Sequence, residues 1–457
     1  MDNSRLLPVK QYIKAAFEGT RPLEISEIIL MMLFVVIYPF SWQLALWVGL
    51  LLLLNAAARM IRYHCSGNNF STLSRWALCL LPALYLFYLA SITYSTNTAE
   101  GWEILFHKLP MLLFPIYFLV ADTRFLSHKL LILLGYCFAI SCTLLGAAFI
   151  FTRLFQILFA GASFNVLFST GFLVPHHTYA SMYFLLSITF LYLENKHHGN
   201  EYPRWWNIII WVCIAFLIAI TFFIQSRSGV LCLICLVLWA LYDIIFNRKM
   251  RLLGFGLTGT ALLLFALITL APGDSHNRLN STVKEVSGGD TGDIRFEIWG
   301  NALQVIKENP IWGIGVGDRM DVLEENHERN FLMGQNSNWH RYNPHNQFLD
   351  TWATLGIFGL FILLAIFLLP LIYALRDRPR NILLLTFIAV AFVSSLVEST
   401  LERQMGIIFF CFAYGILQLP ACSSDTYAPA DNDKSPHTII RRRKQPKKKQ
   451  YCPYKQR

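Results

Sequence analysis

The chain has 457 residues, of which 55% are hydrophobic and only 14% charged, with 38 Lys and Arg against 28 Asp and Glu. Soluble globular domains average about 25% charged residues, so the composition excludes an ordinary water-soluble enzyme and reads as a polytopic membrane protein. The positive excess then reports sidedness and attraction to anionic lipid; with no recognition module in sight, it does not point to nucleic acid.

A membrane-crossing helix needs about 20 mostly apolar residues, and about twelve runs approach that length. The expected fold is all-α, with about twelve transmembrane helices and one large loop. Residues 1–23, with Lys10, Lys14 and Arg21, form a basic lead that touches anionic headgroups. Runs at 24–40 and 42–58 make a hairpin turning at Pro39-Phe40-Ser41-Trp42, and a basic loop from Arg59 to Arg75 follows. After the run at 76–93, Ser95 to Lys108 is amphipathic, with Trp102, Leu105 and Phe106 on one side. It is expected in the outer interface, with His107 and Lys108 on a solvated face. A short run at 109–121 and a longer one at 130–152 come next.

Residues 153–178 are apolar but broken by Gly161, Ser163, Asn165, Gly171 and Pro175, which argues for a loop or re-entrant turn ending at His176-His177. Adjacent histidines point in different directions, which speaks against a shared metal and leaves His176 or His177 as a lining residue of an outer cavity. Runs at 179–194, 207–225, 229–246 and 252–271 complete the block 24–271. Between the middle two stands Gln225-Ser226-Arg227-Ser228-Gly229, a turn too short to let Arg227 wander from the boundary. A charge at that depth is functional or paired, and a phosphate-facing role is the preferred reading over snorkelling. The ten cysteines fall mostly within runs, and Cys232-x-x-Cys235 sits mid-helix without His or carboxylate neighbours in sequence. They read as small hydrophobes, and neither a metal site nor a cofactor is expected.

The long loop, 272–346, starts polar. Asp293 then caps an expected helix from Ile294 to Glu308, stopped by Asn309-Pro310. Ile294, Ile298, Ala302 and Val305 form its apolar stripe, expected on the membrane surface. Arg295 stands in its first turn beside exposed backbone amides, a combination that favours an anion. Pro310 to Asp318 is glycine-rich but lacks the flanking strand and helix of a nucleotide site. Tight turns bringing the loop back over the spans account better for the glycines. Asp318 to Glu328 is acidic and expected to be solvated.

From Asn343 to Gly359 a polar loop turns directly into a long apolar helix, with His345 at its lip. An imidazole there either does proton chemistry or caps the helix, and spacing alone leaves both open. Asp350, just over one turn further, either orients that imidazole or pairs with an arginine. The run at 347–375 is long enough to expect tilt or a kink at Pro370, and 381–399 and 405–421 complete the block 347–421. Glu398 and Arg403 flank the last outer turn as site candidates or as a mutual salt bridge. The tail 422–457 is strongly basic and expected to be disordered. Most Lys and Arg fall on one side if both termini are cytoplasmic, which puts the loop and His345 outside.

Three motifs, in this order and spacing, give the chain a resemblance: Gln225-Ser226-Arg227-Ser228-Gly229, Arg295-Phe296-Glu297-Ile298-Trp299 through Gly315, and Pro344-His345-Asn346-Gln347-Phe348-Leu349 with Gly356 and Gly359. The chain resembles the bacterial O-antigen ligase and polymerase superfamily of metal-independent, integral-membrane glycosyltransferases. The resemblance implies an inner-membrane protein of twelve helices, a periplasmic loop over a lipid-facing cavity, and glycan transfer from undecaprenyl diphosphate. It implies that Arg227 and Arg295 hold the diphosphate and His345 activates the acceptor hydroxyl, with Asp350, His176 and Glu398 as possible support. The partners implied are the lipid-linked glycan donor, a lipid A core acceptor and membrane lipids. Ligases, polymerases extending the lipid-linked chain and protein-glycosylating members share these motifs; the ligase fits best and the polymerase comes second. A polysaccharide exporter is the competing class, but the two halves show no matching repeats.

Overall fold

The computed structural model describes residues 8–64, 70–162, 166, 176–244, 294–331, 343–376 and 381–419. The run at 252–271, the loop opening through Asp293, most of 163–175 and the basic tail lie outside the described residues. Among the described residues every regular element is helical.

Among the described residues, ten α-helices precede the long loop: α1 (Pro8–Phe17), α2 (Pro22–Ile37), α3 (Trp42–Tyr63), α4 (Thr72–Ser91), α5 (Thr98–Lys108), α6 (Pro110–Val120), α7 (His128–Phe159), α8 (His177–His198), α9 (Arg204–Phe223) and α10 (Arg227–Tyr242). The loop contributes α11 (Ile294–Glu308) and α12 (Arg319–Phe331), and α13 (Gln347–Arg376), α14 (Ile382–Val397) and α15 (Gln404–Ile416) follow. Their starts obey local chemistry. Ser41, Ser71, Asn97, Ser127, Ser226 and Asn381 each accept a backbone N–H of the first turn, satisfying a donor the helix itself leaves open.

Among the described residues, six helical stretches are long and apolar enough to cross a membrane: α3, α4 with its 3-10 extension, α5 with α6, α7, α9 and α13. The sequence leads one to expect about twelve. Part of the shortfall is the run at 252–271, outside the described residues, and α8, which has 22 residues but is less apolar; the rest is geometric, since α2, α10, α14 and α15 have 16, 16, 16 and 13 residues. At about 1.5 Å per residue each falls short of the roughly 30 Å hydrocarbon core. Large apolar side chains face outward along α3, α7, α9 and α13, among them Trp47, Leu144, Val212 and Phe361, as a lipid-facing surface requires.

Two helices differ from the rest. α8 and α15 are buried around nearly their whole circumference, so they form the axis on which the others pack. Lipid offers apolar side chains no hydrophobic reward for association, so cohesion rests on close packing and internal hydrogen bonds. Phe34 lies 4.4 Å, centroid to centroid, from Phe412, and Tyr183 lies 4.6 Å from Phe409. Tyr414 on α15 donates to the Ile366 carbonyl of α13 at 2.8 Å.

The long loop docks by backbone pairing. Ile314 and Gly315 N–H donate to the Ala353 and Thr354 carbonyls at 2.9 and 3.0 Å, and Ile357 N–H donates to Pro310 O at 3.0 Å. This pairing needs α13 opened at that level, and α13 is interrupted at Gly356 (φ 68°, ψ −167°). A Cβ at Gly356 would overlap the Ile311 carbonyl, so only glycine fits. The break in α13 is therefore at Gly356 rather than at Pro370, because the approaching loop backbone, not a missing amide, opens the helix.

Three further expectations are corrected here. α11 has the expected bounds, but its stripe does not lie on a membrane surface: Ala302, Val305 and Ile306 are buried with Leu323 of α12 and Ala353 of α13. The acidic stretch forms α12, and Asp318 at its head is buried, accepting Thr96 and Asn97 backbone N–H at 2.8 and 2.7 Å. Lys108 is buried, not solvated, and donates to Leu401 O at 2.7 Å.

Candidate active site

The turn carrying His345 is built from its own neighbours. Asn343 Oδ1 accepts the His345 N–H at 3.0 Å, and Trp299 of α11 donates to Pro344 O at 2.9 Å. The next residue, Asn346, caps α13: its Oδ1 accepts the Phe348 and Leu349 N–H at 3.0 and 3.1 Å. Capping is thus the work of Asn346, and the imidazole of His345 is left to other partners. His345 itself has φ 45°, a left-handed conformation that costs a non-glycine residue energy. Gln225, across the cavity, has φ 52°. Strained backbone of this kind persists where the surroundings over-determine it, often at functional sites.

His345 Nδ1 lies 3.2 Å from Glu398 Oε1, at the end of α14, and His176 Nε2 lies 3.7 Å from Glu398 Oε2. Glu398 is 4% exposed and His345 27%, so the carboxylate is enclosed while the imidazole reaches open space. Burial pushes the Glu398 carboxyl up, but the His345 hydrogen bond and the nearby His176, His345 and Arg403 outweigh it and leave it below the usual carboxylate range. An ionised Glu398 only accepts, so the Nδ1–H of His345 points at it and the Nε2 lone pair is exposed for a proton.

These groups line one cavity of about 360 Å³, formed by His176, His177, Thr178, Gln225, Ser226, Arg227, Ser228, His345, Val397 and Glu398. Arg227 is the first residue of α10, half-buried at the cavity wall, with the preceding Ser226 Oγ capping that helix through Gly229 N–H at 3.2 Å. An arginine at a helix N-terminus adds a fixed charge to a surface of backbone donors, which suits an oxyanion. Arg295 occupies the first turn of α11, one turn before the Trp299 that grips Pro344; its side chain lies outside the described residues.

Of the residues singled out from the sequence, His345, Arg227, His176 and Glu398 therefore share one cavity. Asp350 does not orient His345. Its carboxylate accepts from Arg319 Nη1 at 2.8 Å, deep in the protein, because the helical path from 345 turns it toward α12. The close contacts of Glu398 are with the two histidines rather than with Arg403. The pairing of Glu398 with His345 joins positions 53 residues apart, and only their nearness to the same expected outer end of the spans hinted at it. The buried Arg319 and Lys108, which meet the half-buried Glu402 beside the site, have no signal in the sequence beyond being charges near an apolar run.

Comparison with known proteins places part of the chain beside a described family. Residues 212–364, a third of the chain, match the family model described as O-antigen ligase, and that segment contains Arg227, Arg295 and His345. An uncharacterized protein of Haemophilus influenzae is 34% identical over 83 residues, covering 18% of this chain and 20% of that protein. The chain thus spans about a fifth of the length of the curated relative it matches. Over the segment 212–364 this chain is therefore similar to the O-antigen ligase family.

Proposed function

We propose that the protein is an O-antigen ligase: a glycosyltransferase of the bacterial inner membrane that moves a glycan from undecaprenyl diphosphate to a sugar hydroxyl of lipid A core at the periplasmic face. The observation that carries this reading is the shared cavity, in which Arg227 and the His345–Glu398 pair face one space at the end of the bundle. In this reading the chain crosses the membrane about twelve times, counting α2 and α8, the short apolar helices α10, α14 and α15 and the run at 252–271, with both termini cytoplasmic and residues 272–346 periplasmic.

The division of labour follows from the side chains. Arg227 and Arg295 neutralise the diphosphate with charge-assisted hydrogen bonds. His345 Nε2 takes the proton of the acceptor hydroxyl as its oxygen attacks the anomeric carbon. The bond from that carbon to the phosphate oxygen breaks, and its electron pair leaves with undecaprenyl diphosphate. Attack from the face opposite the leaving group inverts the anomeric configuration. Glu398 holds the imidazole in the required tautomer and stabilises the imidazolium. Because two arginines cover the leaving-group charge, no metal is needed, and transfer should survive EDTA. Loss of transfer in EDTA, restored by a divalent cation, would overturn that part of the mechanism.

The deciding experiment is the lipopolysaccharide of a strain lacking the protein. Bare core with accumulating lipid-linked polymer supports the ligase. A core carrying a single repeat means a polymerase, and unchanged glycan on both lipids removes the reading altogether.

A further inference from the structure

Arg319 heads α12 and is buried beside the site. Its Nη1 donates to Asp350 Oδ1 at 2.8 Å, and its Nη2 donates to Glu402 Oε1. Lys108 completes the group by donating to Glu402 Oε2 at 3.4 Å and to Leu401 O at 2.7 Å, while its ammonium lies 4.6 Å from the centroid of the Tyr88 ring. Two cations face two carboxylates, so the group is neutral as a whole.

The two acids held by Arg319 come from different elements, and each lies next to one half of the His–Glu pair. Asp350 is on α13, just over one turn beyond His345. Glu402 is four positions beyond Glu398, in the turn that joins α14 to α15. Gln347 adds a parallel link, its Oε1 accepting the Leu401 N–H at 2.6 Å. Arg319 itself belongs to the long loop, anchored at its other side by Asp318 on residues 96 and 97. The planar guanidinium thus spans the two elements whose separation sets the distance from His345 Nδ1 to Glu398.

We propose that Arg319 is a positioning residue: by bridging Asp350 and Glu402 it sets the register between His345 and Glu398, and so makes the pair's geometry depend on docking of the α11–α12 segment. This rests on the reading of His345 as the base. A loss of register of about 1 Å costs on the order of 100-fold in a reaction that depends on orientation. The Arg319 contacts are to Asp350 and Glu402, and neither is a residue to which donor binding is assigned.

The test uses the full-length protein in lipid nanodiscs with Arg319→Lys, Arg319→Met and the double variant Arg319→Met/Asp350→Asn. The double variant removes the bridge without stranding a carboxylate, since Glu402 keeps Lys108. Two readouts are taken: kcat and KM for transfer, and the ring-nitrogen NMR signals of His345 in histidine-labelled protein, assigned by difference from His345→Asn. The expected result for the double variant is a kcat lower by about 10- to 100-fold, a KM for donor within about threefold, and loss of the Nδ1–H tautomer signature. Arg319→Lys restores part of both. In a Glu398→Gln background the same change should have little further effect, because the two act through one contact. An unchanged His345 spectrum in a folded double variant overturns the proposal, as does full additivity with Glu398→Gln. The NMR signal responds whether or not the protein is a transferase, so failure of the functional reading and failure of this one are told apart.

Discussion

The two ends of the helix bundle hold charged clusters of similar composition and opposite character. At one end Glu27 and Arg59 form a hydrogen-bonded ion pair at 2.6 Å with both side chains fully enclosed. Tyr117 donates to Glu27 at 2.6 Å and Arg59 donates to Asp122 O at 2.8 Å. At the other end Glu398 is equally enclosed, but its partners are two imidazoles that line a cavity, and the residue presenting one of them has left-handed backbone. Charge burial alone therefore does not mark a functional site. Access to space and strained presentation of a titratable group do, and only the second cluster has both.

The largest effect that could break this contrast is at His345. His345→Ala should fold, bind the lipid-linked donor and lose about 100- to 10,000-fold in transfer. Near-normal transfer by His345→Asn would end its assignment as the base. At the closed end the sign of the effect moves from chemistry to stability. Glu27→Gln leaves Arg59 buried without its counter-charge, and breaking such a pair costs about 3–5 kcal/mol. Thermal unfolding in detergent should show that loss while transfer per folded molecule stays at the wild-type level. A Glu27→Gln protein that is fully folded yet inactive would erase the distinction between the ends.

A smaller effect is expected for Arg227. Hydrogen bonds to charged groups contribute about 1.5–3 kcal/mol, so Arg227→Ala should weaken binding of a diphosphate-lipid analogue by roughly 10- to 150-fold. Arg227→Lys should retain part of the affinity, because the charge survives and the planar fork does not. Equal binding by wild type and both variants, measured by titration in nanodiscs, would remove the diphosphate role from this arginine.

What was legible in the sequence divides along the same line. Local signals are legible: the membrane character, the bounds of α11, the tight turn that holds Arg227 and the polar turn that carries His345. Each depends on neighbours within a few residues, such as Asn309-Pro310 ending α11. What escaped was tertiary. Glu398 meets His345 only because α13 and α14 lie side by side, and the α11 stripe is covered because α12 and α13 fold over it. Lys108 and Arg319 look like solvated charges until Glu402 and Asp350 are brought to them. The opening of α13 at Gly356 is imposed by a loop backbone some 40 residues earlier. That His345 is not the helix cap likewise depends on a neighbour, since Asn346 does the capping.

The smallest expected effect concerns acid, and it separates the roles of two neighbouring glutamates. Both Glu398 and Glu402 sit below the ordinary value of 4.5 despite burial, which works to raise them. Glu398 is held down by the His345 hydrogen bond with nearby positive charge, and Glu402 by Arg319 and Lys108, to about 2. A carboxyl depressed in the folded state binds fewer protons than in the unfolded chain, so stability grows with pH across that interval. Its contribution is therefore complete above about pH 4.5 and is lost as pH falls toward the folded value, about 2 for Glu402. Between pH 5 and 8 neither group should change stability. Below 4.5 the stability of Glu398→Gln should fall less steeply than that of wild type, and Glu402→Gln should flatten the slope further, since its pKa is moved over a wider interval. Denaturant unfolding in nanodiscs at several pH values measures those slopes. A Glu398→Gln slope identical to wild type below pH 4.5 would mean that Glu398 is not held ionised by His345, and the tautomer assigned to the imidazole would fall with it.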